Sequence, residues 1–137
     1  DVKVIYPVHL NPQVREVADE ILGGHEKIKL IEPLDVLDFH NFMKKAYLIL
    51  SDSGGLQEEA PALGKPVLVL RNTTERPEGV AAGTLKLVGT ETEKVYLEIK
   101  NLLTNLAEYK KMAVAKNPYG DGTSSEQIVK IITEEFL

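Results

Sequence analysis

The sequence contains no cysteine, no excess of basic residues and no long hydrophobic run. The absence of cysteine excludes disulfides, thiol nucleophiles and cysteine metal sites, and it suits a reducing compartment. The 16 basic and 21 acidic residues give a net charge of −5, which argues against nucleic acid or an anionic membrane as a general partner. No apolar stretch approaches the roughly 18 residues of a membrane-spanning helix. We therefore expect a cytoplasmic protein that binds neither nucleic acid nor membrane.

The residues that are present are typical of one globular domain. The 137 residues are enough for one hydrophobic core and too few for two ordinary domains. Hydrophobic residues make up 43% of the chain and charged residues 27%, as in soluble proteins. The sequence starts at Asp1 without a methionine and enters the strand-like run VKVIYPV at once. We expect residues 1–137 to be a single domain from a longer polypeptide.

Apolar runs alternate with helical patterns along the chain. YLIL at 47–50 and VLVL at 67–70 are apolar throughout, as strands buried on both faces are. The alternation predicts an α/β fold with a parallel sheet and helices on both of its faces. The predicted strands are Val2–Val8, Ile28–Ile31, Tyr47–Ser51, Pro66–Leu70 and Thr84–Val88. The predicted helices are Pro12–Leu22, Val36–Lys45, Gly55–Leu63, Pro77–Ala82, Glu91–Thr104, Leu106–Val114 and Ser124–Phe136.

The stretch SDSGG at 51–55 lies where a predicted strand ends and a helix begins. Ligands of open α/β sheets bind at this edge. Ser53, Gly54 and Gly55 would offer backbone N–H groups and a hydroxyl at a helix N-terminus, which suits a phosphate. The two glycines would also let an anion approach the backbone closely. One alternative stays open, a tight turn with Ser53 as the N-cap and with Glu58 and Glu59 complementing the helix dipole.

A second loop, NTTERPEG at 72–79, follows the next predicted strand and opens onto the same edge of the sheet. Its Arg76 could bind a phosphate through two parallel hydrogen bonds, or it could be a surface arginine paired with Glu75 or Glu78. Because two adjacent loops both suit an anion, we expect a ligand that carries phosphate. Glu59, one turn into the preceding helix, could then accept two hydroxyl hydrogen bonds from a ribose diol.

Other types of site fit the sequence less well. SDSGG matches neither the G-x-G-x-x-G nor the P-loop pattern, and no G-x-S-x-G nucleophile elbow surrounds Ser53. His9, His25 and His40 fall on separate predicted elements without the spacing of metal ligands, so we expect no metal. His9 ends the first predicted strand and is a candidate cleft residue. NPYGDG at 117–122 could be a simple connector.

Four segments together resemble the carboxyl-terminal half of the non-hydrolysing UDP-N-acetylglucosamine (UDP-GlcNAc) 2-epimerases. They are YPVHLNPQVRE at 6–16, LILSDSGGLQEEAPALGKPVLVLRNTTERPEG at 48–79, AGTLKLVGT at 82–90 and NPYGDG at 117–122. The resemblance covers essentially the whole chain. It implies a Rossmann-like domain, the carboxyl-terminal half of a two-domain fold like that of type-B glycosyltransferases, with the active site between the two domains.

The resemblance also implies an activity. Such an isomerase interconverts UDP-GlcNAc and UDP-ManNAc for bacterial surface polysaccharides and needs no cofactor. The implied mechanism removes the proton at C2 and expels UDP to give a 2-acetamidoglucal, after which the proton returns on the other face and UDP adds again. The implied partners are the two UDP-sugars, an amino-terminal domain of the same polypeptide and a second copy of the full-length enzyme.

Individual residues match positions of the family that contact UDP. Ser53, with the backbone of Gly54 and Gly55, resembles the part of the site that holds the diphosphate. Glu59 resembles the carboxylate that binds the ribose diol. The segment at Phe39 resembles the wall that meets the uracil. These assignments agree with the anion-binding interpretation of the loops.

Two further residues match family positions with other roles. Arg76 resembles the catalytic arginine that stabilises the departing UDP, and His9 resembles a histidine of a regulatory UDP-GlcNAc site found in some bacterial members. The family's acid/base carboxylates and its H-R motif, expected just before Asp1, are absent from the sequence. We therefore expect the isolated chain to bind UDP weakly and to be inactive. The resemblance also implies a central strand ahead of Asp1, so we expect Val2–Val8 and Tyr47–Ser51 to lack a shared neighbour. Two alternatives stay open, the donor-binding domain of a type-B glycosyltransferase that uses UDP-sugars and a UDP-sugar sensor.

Overall fold

The computed structural model describes residues 2–136, which divide into two compact units between Phe42 and Met43. Each unit combines helices with parallel strands. Within the described residues, no helix has both the length and the apolar character needed to cross a membrane. The structure is therefore an α/β structure, as the sequence predicts.

The first unit contains one strand–helix–strand repeat. Its two strands pair in parallel, with Val4 opposite Ile28 at one end of the ladder and Pro7 opposite Ile31 at the other. The helix between them begins at a capped proline, because the Asn11 side chain accepts a hydrogen bond from the Gln13 N–H at 3.0 Å. The elements are β1 (Val4–Pro7), α1 (Pro12–Leu22) and β2 (Ile28–Ile31), followed by α2 (Val36–Lys45), which runs across the boundary between the units.

The second unit contains a three-stranded parallel sheet and five helices of its own. The strand order is β3–β4–β5, so that β4 is central, with Ile49 opposite Val67 and Val67 opposite Leu85. The strands are β3 (Ile49–Ser51), β4 (Val67–Val69) and β5 (Leu85–Leu87). The helices are α3 (Gly54–Ala62), α4 (Pro77–Ala82), α5 (Thr92–Thr104), α6 (Leu106–Ala113) and α7 (Ser124–Phe136).

The hydrophobic core of the second unit forms around β4. Val67, Leu68 and Val69 are completely buried. Because successive side chains of a strand point to opposite faces, this burial means that both faces of β4 are covered. Leu68 belongs to a cluster with Val88 and Leu102, and other apolar side chains pack against that cluster, namely Leu48, Leu70, Val95, Ile99 and Met112.

The bounds of the elements agree closely with the sequence patterns. Helices α1, α2, α4 and α7 and strand β2 have the predicted bounds. Helices α5 and α6 differ from the prediction by one residue at one end, and α3 begins and ends one residue earlier than predicted. Strands β1, β4 and β5 are shorter than predicted by one or two residues at each end, and β3 is shorter by two residues at its start. Apolar residues continue beyond the last ladder hydrogen bond, so hydrophobicity overestimates the length of a strand.

The described strands do not form one continuous sheet. They form a two-stranded sheet and a separate three-stranded sheet, and β1 and β3 are not paired with each other. Alternating strands and helices predict parallel strands, but they do not determine which strands become neighbours.

Candidate functional site

The first candidate loop joins β3 to α3. Ser51 ends the strand, and its Oγ accepts a hydrogen bond from the Ser53 N–H at 3.0 Å, which tightens the turn. Ser53 occupies the N-cap position with an extended backbone (φ −79°, ψ 132°), but its side chain makes no capping hydrogen bond. The positive end of the α3 dipole is therefore not neutralised by this hydroxyl. In this respect the structure favours an anion site over the alternative of a simple serine cap.

Two carboxylates lie against the glycine pair at the start of α3. A Cβ atom at Gly54 would be 2.5 Å from Oε1 of Glu75, and one at Gly55 would be 3.6 Å from Oε1 of Glu59. The space beside Gly54 therefore already accepts an oxyanion, because the carboxylate of Glu75 occupies it. Glu59 is close enough to the first turn of α3 to contact a group held there.

A buried side chain connects the two candidate loops. Gln57 is completely buried, and its Nε2 donates to the Ser53 carbonyl at 3.2 Å. Its Oε1 accepts a hydrogen bond from the Thr74 hydroxyl, whose oxygen in turn accepts from the Arg76 N–H at 2.9 Å. This chain of hydrogen bonds fixes the backbone of Ser53 relative to that of Arg76, since a buried amide must satisfy its polar atoms.

Arg76 lies at the N-cap position of α4 and forms an ion pair with Glu58 of α3. The sequence leaves Glu75 or Glu78 open as its partner; the partner in the structure is Glu58, while the Glu75 carbonyl accepts from Nη1 of Arg76 at 3.1 Å. The hydrogen bond to Glu58 raises the pKa of Arg76, so the guanidinium is charged. Both side chains are partly exposed, at 33% and 42%. An ion pair this exposed is only weakly stabilising, so Arg76 can exchange Glu58 for another anion at little cost.

A second arginine lies beside the first. Nη1 of Arg71 is 2.7 Å from Oε2 of Glu75, four residues further along the chain. The pKa of Glu75 is lowered, chiefly by a hydrogen bond from its own backbone N–H and further by the charge of Arg71. The carboxylate next to Gly54 is therefore ionised at neutral pH. The site thus combines two guanidinium groups with acidic partners that an incoming phosphate could replace.

The sequence-predicted residues divide between the two units. Ser53, Gly54, Gly55, Glu59 and Arg76 all belong to the second unit, where the contacts above link the two loops. The prediction that these loops converge at one edge of the sheet is supported by the geometry. Their roles toward a ligand stay predictions.

Phe39 and His9 belong to the first unit. Phe39 is half-buried in α2, and His9 is an exposed residue beyond the end of β1. Nδ1 of His9 accepts a hydrogen bond from the Asn11 N–H at 3.1 Å. The predicted contacts of Phe39 with uracil and of His9 with a regulatory ligand therefore stay predictions as well.

Sequence reasoning missed Gln57 and Thr74, which link the two loops. Gln57 lies one turn after Ser53, and Thr74 lies two residues before Arg76, the spacing at which a hydroxyl accepts from a backbone N–H. These spacings were a usable signal for the contacts. Within residues 2–136, no group of three or more histidine or acidic side chains could hold a metal ion.

Comparison with known proteins identifies relatives over nearly the whole chain. A family model described as UDP-N-acetylglucosamine 2-epimerase matches residues 1–133. The UDP-N-acetylglucosamine 2-epimerase of Bacillus subtilis (strain 168) is 65% identical over 130 residues, which make up 95% of this chain and 34% of the relative. The chain thus spans about a third of the length of this curated relative.

Solved structures agree with the sequence comparison. S. aureus MnaA, solved with UDP, is 61% identical with a TM-score of 0.92, and the match covers 97% of this chain and 36% of that one. The UDP-GlcNAc 2-epimerase of Neisseria meningitidis, solved with UDP-GlcNAc, is 50% identical with a TM-score of 0.91, again over 97% of this chain and 36% of the other. The described structure therefore resembles one part of these larger proteins.

Proposed function

The chain belongs to the UDP-N-acetylglucosamine 2-epimerase family, and we propose that it supplies the UDP-binding part of an enzyme that interconverts UDP-GlcNAc and UDP-ManNAc. One observation from the structure carries the proposal. The glycine-rich start of α3 and the arginine at the start of α4 are joined by Gln57 and Thr74. A helix N-terminus and a guanidinium that face one site suit the diphosphate of a nucleotide sugar.

Arg76 has the central role in this proposal. When the bond between the anomeric carbon and UDP breaks, negative charge develops on the diphosphate. Arg76 exchanges Glu58 for a phosphate oxygen and stabilises that charge, while the N–H groups of Gly54 and Gly55 and the hydroxyl of Ser53 hold the diphosphate in place. The acid/base groups that move the C2 proton are supplied by another part of the enzyme, so this chain binds and releases UDP.

Further residues are assigned to the rest of the nucleotide and to a second ligand. Glu59 accepts hydrogen bonds from the two ribose hydroxyls, and its approach to the start of α3 supports this role. Phe39 contributes to the wall around the uracil. His9 belongs to a second, regulatory site for UDP-GlcNAc. The assignments of Phe39 and His9 depend on the family alone.

The proposal extends to the architecture of the enzyme. Residues 1–137 form the Rossmann-like carboxyl-terminal domain of a protein with two such domains, as in type-B glycosyltransferases, with helices on both faces of its sheet. The partner of this domain is the amino-terminal domain of the same polypeptide, and the full-length enzyme is a cytoplasmic homodimer that serves the synthesis of surface polysaccharides. The chain spans about a third of the length of its Bacillus subtilis relative, which supports a larger parent protein.

Calorimetric titration of the chain with UDP and with uridine tests the binding proposal. We expect UDP to bind more tightly than uridine, since only UDP carries the diphosphate. Arg76→Ala should weaken UDP binding by about 2 kcal/mol, or roughly 30-fold, through loss of a charge-assisted hydrogen bond. Arg15→Ala is the matched control, because Arg15 also pairs with a glutamate, Glu32, but lies in the first unit.

The activity is tested with a full-length enzyme that contains this chain. Proton NMR should show UDP-ManNAc forming from UDP-GlcNAc without any acceptor, whereas a glycosyltransferase would need one. The isolated chain should form none. Equal affinity of wild type and Arg76→Ala for UDP would show that Arg76 is not part of the site. Formation of UDP-ManNAc by the isolated chain would contradict the proposal that another part of the enzyme moves the C2 proton.

A further inference from the structure

The loop NPYGDG is built to present a tyrosine. Oδ1 of Asn117 accepts a hydrogen bond from the Tyr119 N–H at 3.2 Å, and its Nδ2 donates to the Gly120 carbonyl at 3.3 Å. Gly120 has a φ of 108°, which side-chain-bearing residues rarely adopt. Together these features close the loop around Tyr119 and point to a specific role for its side chain, beyond that of a connector.

The Tyr119 hydroxyl contacts the backbone at the start of α4. It accepts a hydrogen bond from the Gly79 N–H at 3.0 Å and donates to the Arg76 carbonyl at 3.5 Å. A Cβ atom at Gly79 would lie 2.5 Å from this hydroxyl and closer still to Cδ1 of Leu85, so only glycine admits the contact. Desolvation is the main cause that raises the pKa of Tyr119, which keeps the hydroxyl protonated and able to donate.

Arg76 is held only partly by α4, whose Gly79 N–H donates to the Arg76 carbonyl at 3.3 Å. The helix has only six residues, and Arg76 makes no side-chain cap and has a non-helical backbone (φ −124°, ψ 58°). Its N–H donates to the Thr74 hydroxyl at 2.9 Å, and its carbonyl accepts from the Tyr119 hydroxyl at 3.5 Å in addition to the Gly79 N–H. The two peptide groups that flank the Cα of Arg76 are thus each fixed by a side-chain hydroxyl.

We propose that Tyr119 is a positioning residue, whose hydroxyl fixes the backbone of Arg76 and thereby aims the guanidinium at the diphosphate of the bound nucleotide. The inference rests on the proposed UDP site. Tyr119 itself does not touch the ligand in this scheme. Its effect on binding therefore passes entirely through Arg76, which separates this role from that of a direct phosphate ligand.

Tyr119→Phe removes the hydroxyl and keeps the ring. UDP affinity measured by calorimetry should fall about fivefold, the usual result of losing one hydrogen bond. Uridine affinity should not change, since uridine has no phosphate for Arg76 to bind. In an Arg76→Ala background the same substitution should have no further effect on UDP affinity, because the residue through which Tyr119 acts is gone.

Tyr109→Phe is the matched control. The Tyr109 hydroxyl also donates to a backbone carbonyl in the second unit, that of Tyr47, at 3.0 Å, and its ring stacks on the Tyr47 ring with centroids 4.0 Å apart. Its loss should affect stability as the loss of the Tyr119 hydroxyl does. It should leave UDP affinity unchanged. If the two variants changed UDP affinity equally, the effect of Tyr119→Phe would be merely structural.

A readout without ligand keeps the two proposals distinguishable. In ¹⁵N NMR spectra, Tyr119→Phe should shift the Nε–H signal of Arg76 and speed exchange of the Gly79 amide, while Tyr109→Phe should do neither. If wild type binds no UDP, the proposed function fails. The positioning inference is tested separately by the NMR spectra, and it is overturned if Tyr119→Phe leaves the Arg76 and Gly79 signals unchanged. If UDP binds, equal affinities of Tyr119→Phe and Tyr109→Phe overturn it, as does an undiminished effect in the Arg76→Ala background.

Discussion

The two units repeat the same order of strand and helix but bury their strands very differently. In β4 of the second unit, Val67, Leu68 and Val69 are 0% exposed. In β1 of the first unit, Val4 is 38% exposed and Ile5 is 48% exposed. Since both strands are rich in β-branched and aliphatic residues, composition does not account for the difference.

The difference follows from the number of neighbours that each strand has. β4 pairs with β3 on one edge and β5 on the other, whereas β1 pairs only with β2 among the described strands. Parallel strands are stable when both faces are covered, and a sheet of two strands cannot bury much on its own. Apolar side chains of α1, the helix between β1 and β2, are exposed as well: Val17 is 53% exposed and Ile21 is 71% exposed.

This comparison explains which site residues the structure holds firmly. Ser53 and Arg76 lie just beyond β3 and β4, strands that belong to a core, and buried Gln57 joins their loops. His9 and Phe39 lie in a unit with few buried side chains. A geometry suited to binding needs rigid support, so the proposed phosphate site is better defined than the proposed uracil or regulatory site.

The largest expected effect tests the difference in burial directly. Leu68→Ala, in the core of the second unit, should lower the free energy of unfolding by about 3 kcal/mol, since it removes a fully buried side chain and leaves a cavity. Ile5→Ala, on the exposed β1, should lower it by less than about 1 kcal/mol. Urea denaturation followed by circular dichroism measures both. Equal losses would show that β1 is packed as well as β4.

A second substitution tests whether Gln57 supports the site as its burial indicates. Gln57→Ala should lower the free energy of unfolding by about 2 kcal/mol, because it leaves the Ser53 carbonyl and the Thr74 hydroxyl without their partner. The matched control is Gln127→Ala in α7, where an exposed amide donates to the Thr123 hydroxyl at 2.7 Å. That change should cost less than about 0.5 kcal/mol. If Gln127→Ala proved as costly, the buried position of Gln57 would not explain its effect.

The sequence predicts that the two loops of the proposed phosphate site meet, because its signals are local. Glycines at a strand end, a serine at the N-cap position and an arginine at the next loop act through the backbone near them. Parallel pairing of β3 with β4 then brings the two loops to one edge. Local sequence patterns are therefore sufficient to select Ser53, Gly54, Gly55 and Arg76.

Contacts between distant positions could not be predicted in the same way. Glu58 as the partner of Arg76, the link from Gln57 to Thr74, and the approach of Tyr119 to Gly79 join residues 17 to 40 positions apart. Nothing in the local pattern selects these partners, since several acidic residues lie nearby in sequence. For the same reason the alternation of strands and helices predicts parallel strands but does not predict which strands become neighbours.

A smaller effect on UDP affinity is expected for Glu59 in the second unit, and its control lies in the first unit. If Glu59 binds the ribose diol, Glu59→Gln should weaken UDP binding about fivefold, or by about 1 kcal/mol, because an amide accepts the hydroxyl hydrogen bonds less well than a carboxylate. Glu16→Gln, on the exposed surface of α1 in the first unit, is the control and should leave UDP affinity unchanged. Calorimetry measures both. In a full-length enzyme, a large fall in turnover with unchanged substrate binding would instead make Glu59 an acid/base group.

The smallest expected effect compares one carboxylate from each unit, Glu75 and Glu32. Both have a lowered pKa, Glu75 chiefly through its own backbone N–H and Glu32 chiefly through the Arg15 guanidinium. A carboxyl group whose pKa is lower in the folded state binds fewer protons there than in the unfolded state. It therefore stabilises the fold above the unfolded value of about 4.3, and this contribution is lost as the pH falls through the folded pKa.

The two causes predict different responses to salt. Added salt screens the attraction between exposed side chains such as Arg15 and Glu32, so the pKa of Glu32 should rise toward its ordinary value. A hydrogen bond within one residue is less affected, so the pKa of Glu75 should change less. Titration of the side-chain carboxyl ¹³C signals at low and high salt measures both values, with Glu75→Gln and Glu32→Gln to assign them. At low salt the pKa of each group should lie below the ordinary value of a glutamate. An equal rise for the two groups would mean that Arg71, rather than the backbone, dominates the environment of Glu75.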